Sequence, residues 1–427
     1  MQAPPARSAG VLRTLTRDGR LLFATRIARL FAYGFLSVVL ALYLAQLGLN
    51  EVRIGLLLSL TLIGDTAISL WITTNADRVG RRRMLLAGSV LMVFAGVVFA
   101  LTGNFLLLLA AATIGVISPG GNEVGPFLPI EQAALSQTIS AQRRTQTFAW
   151  YNLVGSFATA LGALAGGGLA QVLQSAGMPA LASYRVVVVG YAAMGLILAG
   201  LFTRLSPAAE APASAAAATA RLSLGLHRSR GVVFRLAALF SLDAFAGGFV
   251  IQSLVAYWFN LRFGVEPAML GGIFFGANLL AGLSALSAAW VAQRIGLVNT
   301  MVFTHLPSNI LLMLVPLMPN LELAIGVLLL RFSISQMDVP TRQSYTMAVV
   351  EPDERSTASG LTGIARTIGA SLAPLCVGPL LANPALISLP FFLSGGLKIV
   401  YDLALYRGFR ALKAPEETQR EKALGVG

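Results

Sequence analysis

The sequence predicts an all-α membrane protein, with twelve transmembrane helices in two pseudo-symmetric six-helix bundles. Three observations carry that prediction. The 427 residues are 56% hydrophobic and only 11% charged, with a mean hydropathy of +0.75; soluble chains carry about 25% charged residues. Apolar stretches long enough to cross a bilayer, roughly 20 residues each, recur along nearly the whole chain. Arginine and lysine crowd into every second connection between them.

The first span, 21–47, follows Arg7, Arg13, Arg17 and Arg20. It is too long for a secretory signal and lacks a small-residue cleavage site. The second, 54–76, ends on Arg78 and Arg81 to Arg83, and the third covers 84–102. The fourth, 105–138, is interrupted by Ser118-Pro-Gly-Gly-Asn-Glu-Val-Gly-Pro126 and followed by Arg143 and Arg144. Gly/Pro interruption of a membrane helix points to a binding site. The fifth span is 145–172 and the sixth 184–204.

Residues 205–230 are Ala/Pro-rich and then basic, with Arg221, Arg228 and Arg230. They read as a cytoplasmic linker between a 21–204 bundle and a 231–407 bundle, with 1–20 and 408–427 as terminal segments. The remaining spans are 231–260, 267–292, 299–318, 321–349, 356–382 and 386–407. Arg410, Lys413, Arg420 and Lys422 follow the last. Alternate connections hold little beyond Arg53 and Arg262. This is a positive-inside bias that places both termini in the cytoplasm. It accounts for the net charge of +13 without a nucleic-acid partner.

The halves repeat. Phe31-Ala-Tyr-Gly-Phe35 matches Phe245-Ala-Gly-Gly-Phe249, and Tyr43 falls on Tyr257. Asp77-Arg-Val-Gly80 matches Gln293-Arg-Ile-Gly296, and Pro129-Ile-Glu-Gln132 matches Pro340-Thr-Arg-Gln343. The single cysteine, Cys376, lies in a span, His227 in a loop and His305 near a helix start. No metal site, cofactor, disulfide or nucleotide motif is expected, and neither is an enzyme.

The turn between the second and third spans, Asn75-Ala-Asp-Arg-Val-Gly-Arg-Arg-Arg-Met-Leu85, has a pattern of its own. Asp77, Arg78, Gly80, Arg81 and Arg82 fit G-x-x-x-D-R-x-G-R-R, with Thr73 in place of the leading glycine. This resembles the corresponding loop of the major facilitator superfamily, a large family of secondary transporters. In the fifth span, Gly162-Ala-Leu-Ala-Gly166-Gly167 looks like the G-P-x-x-G-G signature of its proton-coupled exporters, with Ala163 replacing proline. Its repeat mate, Ala373-Pro374-Leu-Cys-Val-Gly378, keeps the proline and loses a glycine. Ordinary close helix packing uses the same small residues. The resemblance covers 20–407. It implies the major facilitator fold, a midplane substrate site between the halves, and alternating access. It also implies that spans 1, 4, 7 and 10 line the cavity, and that Asp77 faces the start of span 11 near Ser356.

Ionisable groups inside a span cost several kcal/mol unless paired or facing water. Arg29 and Glu131 map through the repeat onto Asp243 and Arg342, one acid and one base per half with the signs exchanged. Two readings stand: a gate whose ion pairs break, or static pairs within each half. Glu131 has a further option, Arg81 of the loop. Glu123, Asp338 and Asp65 lie deeper and are candidates for proton coupling, the static alternative again standing beside it. Lys398 and Asp402, four apart, suit a local pair.

Cavity candidates are Tyr33, Asn122, Trp150, Asn152, Gln252, Tyr257, Asn278, Arg331, Gln336 and Arg366. The leading expectation is a monomeric transporter of a bacterial-type inner membrane. It would export small organic molecules by proton-coupled antiport. A proton-coupled importer of an organic anion and a non-transporting receptor or scaffold stay open.

Overall fold

In water the apolar spans would aggregate; in a bilayer they become helices, because each backbone polar group must be satisfied within the segment. The computed structural model describes residues 15–139, 144–210, 226–351, 354–412 and 417. Most of the terminal segments and of the linker lies outside them. The regular structure of the described residues is helical, without strands. Large apolar side chains such as Trp71, Val90, Leu106, Val172 and Leu196 point outward, as a lipid-facing surface requires.

The N-terminal half contains α1 (Arg17–Ser37), α2 (Leu40–Gln46), α3 (Glu51–Val79), α4 (Arg81–Leu101), α5 (Phe105–Ile114), α6 (Phe127–Thr138), α7 (Arg144–Ser175) and α8 (Ala180–Phe202). The C-terminal half contains α9 (Arg230–Gly248), α10 (Gln252–Phe263), α11 (Pro267–Ile295), α12 (Leu297–Leu314), α13 (Leu321–Phe332), α14 (Asp338–Ala348), α15 (Arg355–Leu381) and α16 (Leu389–Phe409). Among the described residues nine helical segments are long and apolar enough to span a membrane, or ten if α1 and α2, bent by 43°, count as one. The expected fourth and tenth spans fail that test because each is two short helices, α5 with α6 and α13 with α14, around a non-helical stretch.

The caps follow from the sequence. Thr16, Asn50, Asn104 and Asn320 accept backbone N–H groups at the starts of α1, α3, α5 and α13. Gly80 and Gly296, matched by the repeat, end α3 and α11 with φ of 114° and 89°, which other residues rarely adopt. Each turn is met by a carboxylate from far along the chain. Glu210 accepts from the Arg81 and Arg82 N–H groups at 2.6 and 3.2 Å, and Glu417 accepts from Leu297 N–H at 2.5 Å.

Short connections alternate between the face carrying Gly80 and Gly296, where the ends of the helical body also lie, and a distal face. Among the described residues, hydrogen bonds between the halves lie toward the distal face. Gln252 Nε2 donates to Ser37 Oγ (2.8 Å), Ser253 N–H to the Pro119 carbonyl (3.1 Å) and Tyr257 Oη to Glu51 Oε1 (2.9 Å). Glycines let the helices close there. A Cβ on Gly167 would sit 2.2 Å from the Pro267 carbonyl of α11, and one on Gly55 would sit 2.4 Å from the Pro374 carbonyl of α15. Gly162 and Gly166 seat α1 in the same way, against the Phe31 and Phe35 carbonyls, and Gly378 packs on Glu51.

At the other face, Glu354 gathers the start of α9. It takes bonds from the N–H groups of His227, Arg228 and Ser229. The bonding with Ser229, then that with His227, holds its carboxyl down at about 2. This stabilisation is complete above the ordinary carboxylate range and is lost as pH falls toward 2. Glu354→Gln should therefore lower the melting temperature at pH 7, and the gap to wild type should narrow at pH 3. A gap that does not depend on pH would contradict the assignment.

Gly167→Ala forces α7 and α11 apart at the distal seam, so it should populate a state open there. Ser253, fully buried at this seam, reports it. In a Cys376→Ser background, Ser253→Cys should react faster with a hydrophilic maleimide when Gly167→Ala is present. An unchanged rate would show that the seam tolerates the extra methyl group.

Candidate functional site

Polar chemistry concentrates where the fourth span breaks. From Gly115 to Pro126 the chain carries two prolines without N–H groups, and Gly121 and Gly125 stand at φ of 68° and 82°. The carbonyls freed there find donors from within the stretch and from other helices. Tyr191 Oη donates to Val116 (2.6 Å), Tyr33 Oη to Val124 (3.0 Å), Ser118 Oγ to Asn122 (2.7 Å), and Ser253 N–H to Pro119 across the seam. Tyr33, proposed from sequence as a cavity residue, thus holds the break in shape.

The broken stretch delivers Glu123 to two arginines of α1: Arg26 Nη1 reaches it at 2.8 Å and Arg29 Nε at 2.7 Å. Arg29 also grips Glu131 of α6 with both terminal nitrogens, each at 2.7 Å. Arg29 and Glu131 are wholly buried. Glu131 accepts further bonds from Thr25 Oγ1 (2.7 Å) and Tyr151 Oη. Arg26 completes its set on the Tyr151 carbonyl (2.8 Å) and Asn152 Oδ1 (3.3 Å) and lies over the Tyr151 ring. Two acids and two bases, all bonded, make this cluster neutral. Glu131 is engaged by Arg29, which overturns the option of Arg81. Arg81 Nε instead donates to Asp77 at 2.7 Å within the loop. The Ser356 side chain, expected opposite Asp77, lies outside the described residues.

The C-terminal half has a larger cluster. Asp243 of α9 binds Lys398 Nζ (2.6 Å) and Arg342 Nη1 (3.0 Å), with Arg366 Nη1 and His305 Nε2 each at 3.9 Å. Arg342 also bonds Asp338 at 3.0 Å. Lys398 therefore serves Asp243 across the bundle and forms no local pair with Asp402, contrary to the sequence expectation. Asp402 is held by His305 Nδ1 (2.8 Å) and Asn309 Nδ2 (2.9 Å). His305 lies buried inside α12, further along than the helix start expected for it. The signal for it was present: His305 with Asn309, and Lys398 with Asp402, are two i,i+4 pairs of polar residues in apolar helices.

Some expected cavity residues lie elsewhere. Gln252 and Tyr257 are in the distal seam, with Asn278 Nδ2 donating to Gln252 Oε1 at 3.0 Å. Trp150 packs half-buried against the N-terminal core. Asn122 and Asn152 are exposed. The Gln336 N–H meets Ser284 Oγ at 3.3 Å beside the second break, 333–337. Asp65 of α3 is buried and accepts from Ser69 Oγ (3.4 Å), and its neighbour Gly64 packs on the Thr113 carbonyl just before the broken stretch. It has no ion-pair partner among the described residues. No group of His, Cys, Asp and Glu suited to a metal occurs among the described residues.

Comparison with known proteins agrees with this architecture. The sequence model of the Major Facilitator Superfamily matches residues 22–374. The uncharacterized membrane protein YJR124C of Saccharomyces cerevisiae is 32% identical over 436 residues, covering 95% of this chain and 97% of its own. The quinolone resistance protein NorA of Staphylococcus aureus is 26% identical over 139 residues, about a third of each chain. Among solved structures, a bacterial homolog of the human lysosomal transporter Spinster, inward-facing and occupied, superposes with a TM-score of 0.70. It shares 16% identity and covers 96% of this chain and 98% of its own.

Because the N-terminal cluster is charge-balanced, Arg29→Gln or Glu131→Gln alone leaves a buried charge unmatched, costing about 3–5 kcal/mol. The double variant restores balance through the Arg26–Glu123 pair. Its melting temperature should exceed that of the worse single variant; losses that simply add would argue against the pairing.

Proposed function

The chain belongs to the Major Facilitator Superfamily of membrane transporters, and on that premise we propose that it is a secondary active transporter working by alternating access, most simply a proton-coupled exporter of small organic molecules. The observation that carries the reading is one-sided closure. Bonds between the halves and glycine-seated crossings join the bundles toward the distal face. At the opposite face, Glu210 and Glu354 act within one half or its adjoining linker. With basic loops and both termini on the cytoplasmic side of a plasma-type membrane, this is an inward-facing state. The structural likeness to an inward-facing Spinster homolog supports that orientation. Efflux is supported by the stretch similar to NorA. The 21–204 and 231–407 bundles then rock about the seam, and a monomer suffices.

Among the three acids considered for proton coupling, Asp65 fits best. Glu123 and Asp338 must each break an arginine pair to take up a proton. Asp65 needs no such step, and it lies beside the broken span, next to Gly64, which packs on the Thr113 carbonyl. When that segment moves, the surroundings of Asp65 change with it.

Reconstitution into proteoliposomes tests both statements. Wild-type protein should release protons when a substrate is added under an imposed pH gradient. Asp65→Asn should lose gradient-driven flux while keeping substrate exchange at equal pH. Glu123→Gln should chiefly lower the melting temperature. Full gradient-driven flux in Asp65→Asn would remove it as the carrier. Absence of flux for every compound in a broad panel, in either gradient direction, would favour a non-transporting receptor.

A further inference from the structure

The two buried clusters differ in their charge. The N-terminal one balances Arg26 and Arg29 against Glu123 and Glu131 at 2.7–2.8 Å. The C-terminal one sets Arg331, Arg342, Arg366 and Lys398 against Asp243, Asp338 and Asp402, leaving one positive charge over before His305 is counted. That excess is localised. Asp243 is occupied by Lys398 and Arg342, Asp338 by Arg342, and Asp402 by His305 and Asn309.

Arg331 ends α13 where the tenth span breaks. Its side chain is 9% exposed, its Nε is buried without a hydrogen-bond partner, and among the described residues no carboxylate lies within 4.0 Å. Its guanidinium rests over the Phe332 ring. The Arg366 side chain of α15 is 35% exposed; among the described residues it comes within 4.0 Å of one carboxylate, Asp243, at 3.9 Å, and its Nη1 is buried and unbonded. Ser335 Oγ, in the break itself, is a third buried polar atom without a partner. Arg366 approaches Asp243, which Arg342 joins to Asp338, and Asp338 opens α14 across the same short break that Arg331 precedes, so the two arginines flank one neighbourhood.

A guanidinium stays protonated in any protein setting and presents a planar fork of donors suited to oxyanions. Buried and unmatched, as at Arg331, it is costly until an anion arrives. A carbonyl-rich break in a membrane helix is also where substrate sites form. We propose that Arg331 and Arg366, helped by Ser335, form an anion subsite on the C-terminal half, so that the transported molecule carries a carboxylate, sulfonate or phosphate group. This deepens, and rests on, the transport reading above. The neutral N-terminal cluster supplies no such site. One bundle therefore recognises the charged end of the substrate, while the other leaves its arginines locked to its own acids.

The test uses the full chain in phosphatidylcholine nanodiscs, whose headgroups carry no net charge. Melting temperature is followed with 1-naphthoate, 1-naphthalenesulfonate and the neutral 1-naphthamide. The acids should stabilise wild type at concentrations where the amide does not. Arg331→Gln and Arg366→Gln should weaken that response roughly tenfold or more, the scale of a lost charge-assisted bond. Arg366→Lys should keep part of it. Without ligand, Arg331→Gln should melt no lower than wild type, because it removes an unmatched charge; a partner in a structural ion pair would behave in the opposite way.

Equal stabilisation by acid and amide, an unaltered response in Arg331→Gln, or a marked loss of unliganded stability in that variant would overturn the proposal. So would full replacement of the effect by chloride, which would assign the arginines to an inorganic counter-ion. The assay needs no flux. Acid-selective binding in a protein that transports nothing keeps the subsite and defeats the transport reading. Gradient-driven flux of neutral compounds without acid-selective binding does the reverse.

Discussion

A break in a membrane helix exposes carbonyls where water is scarce, and much of the N-terminal half is arranged to meet them. Tyr33, Tyr191 and Ser118 each give a hydroxyl to the 115–126 stretch, and the second bundle adds the Ser253 N–H. Ser118 lies in the stretch itself and the other three donors come from different helices, so the break fixes the relative heights of α1, α8 and α10 as well as its own path. It also brings Glu123 to Arg26 and Arg29. Without that delivery two arginines in α1 would face a single acid, Glu131. Backbone satisfaction and charge balance are thus met by one segment.

Much of this was legible in the chain. Hydropathy gives the spans, and the repeat pairs Arg29 with Asp243 and Glu131 with Arg342 as equivalent positions. The Ser-Pro-Gly-Gly-Asn run marks the break, although its length, long enough to split the span into α5 and α6, is a matter of tertiary partners. Partner identity was less legible. Glu131 could have met Arg81 or Arg29, and only packing depth separates those choices. Lys398 and Asp402 satisfy the spacing of a local pair, yet each has a stronger bond across the bundle, to Asp243 and His305. Helical spacing says which residues can meet; in an interior of low dielectric the closest unlike charge decides which do.

Gln252 and Tyr257 show a second limit. A polar residue in an apolar helix signals that it avoids lipid, and the same signal is produced by a cavity and by an interface between bundles. The structure puts both in the seam, where α10 touches α2, α3 and the fourth-span break. Glycines carry a similar double meaning. Gly162 and Gly166 seat α1 within one half, whereas Gly167, one residue on, meets the other half. A signature that reads as one motif in sequence divides its work between the inner packing of a bundle and the surface it shares with the other bundle.

The unequal charge of the two clusters reaches beyond recognition. Moving one elementary charge through the whole membrane field is worth about 2.3 kcal/mol per 100 mV, and a group near the midplane experiences part of that when access alternates. The N-terminal cluster, balanced four ways, is electrically silent. The C-terminal excess at Arg331 and Arg366 is not, so on the proposed cycle reorientation of the empty carrier would couple to membrane voltage through that half. An anion seated on the proposed subsite would cancel the excess, and the loaded carrier would then turn over with less regard to voltage. Charge imbalance in one bundle would thereby make the electrical potential a second driving term, acting on the return step rather than on the loaded one.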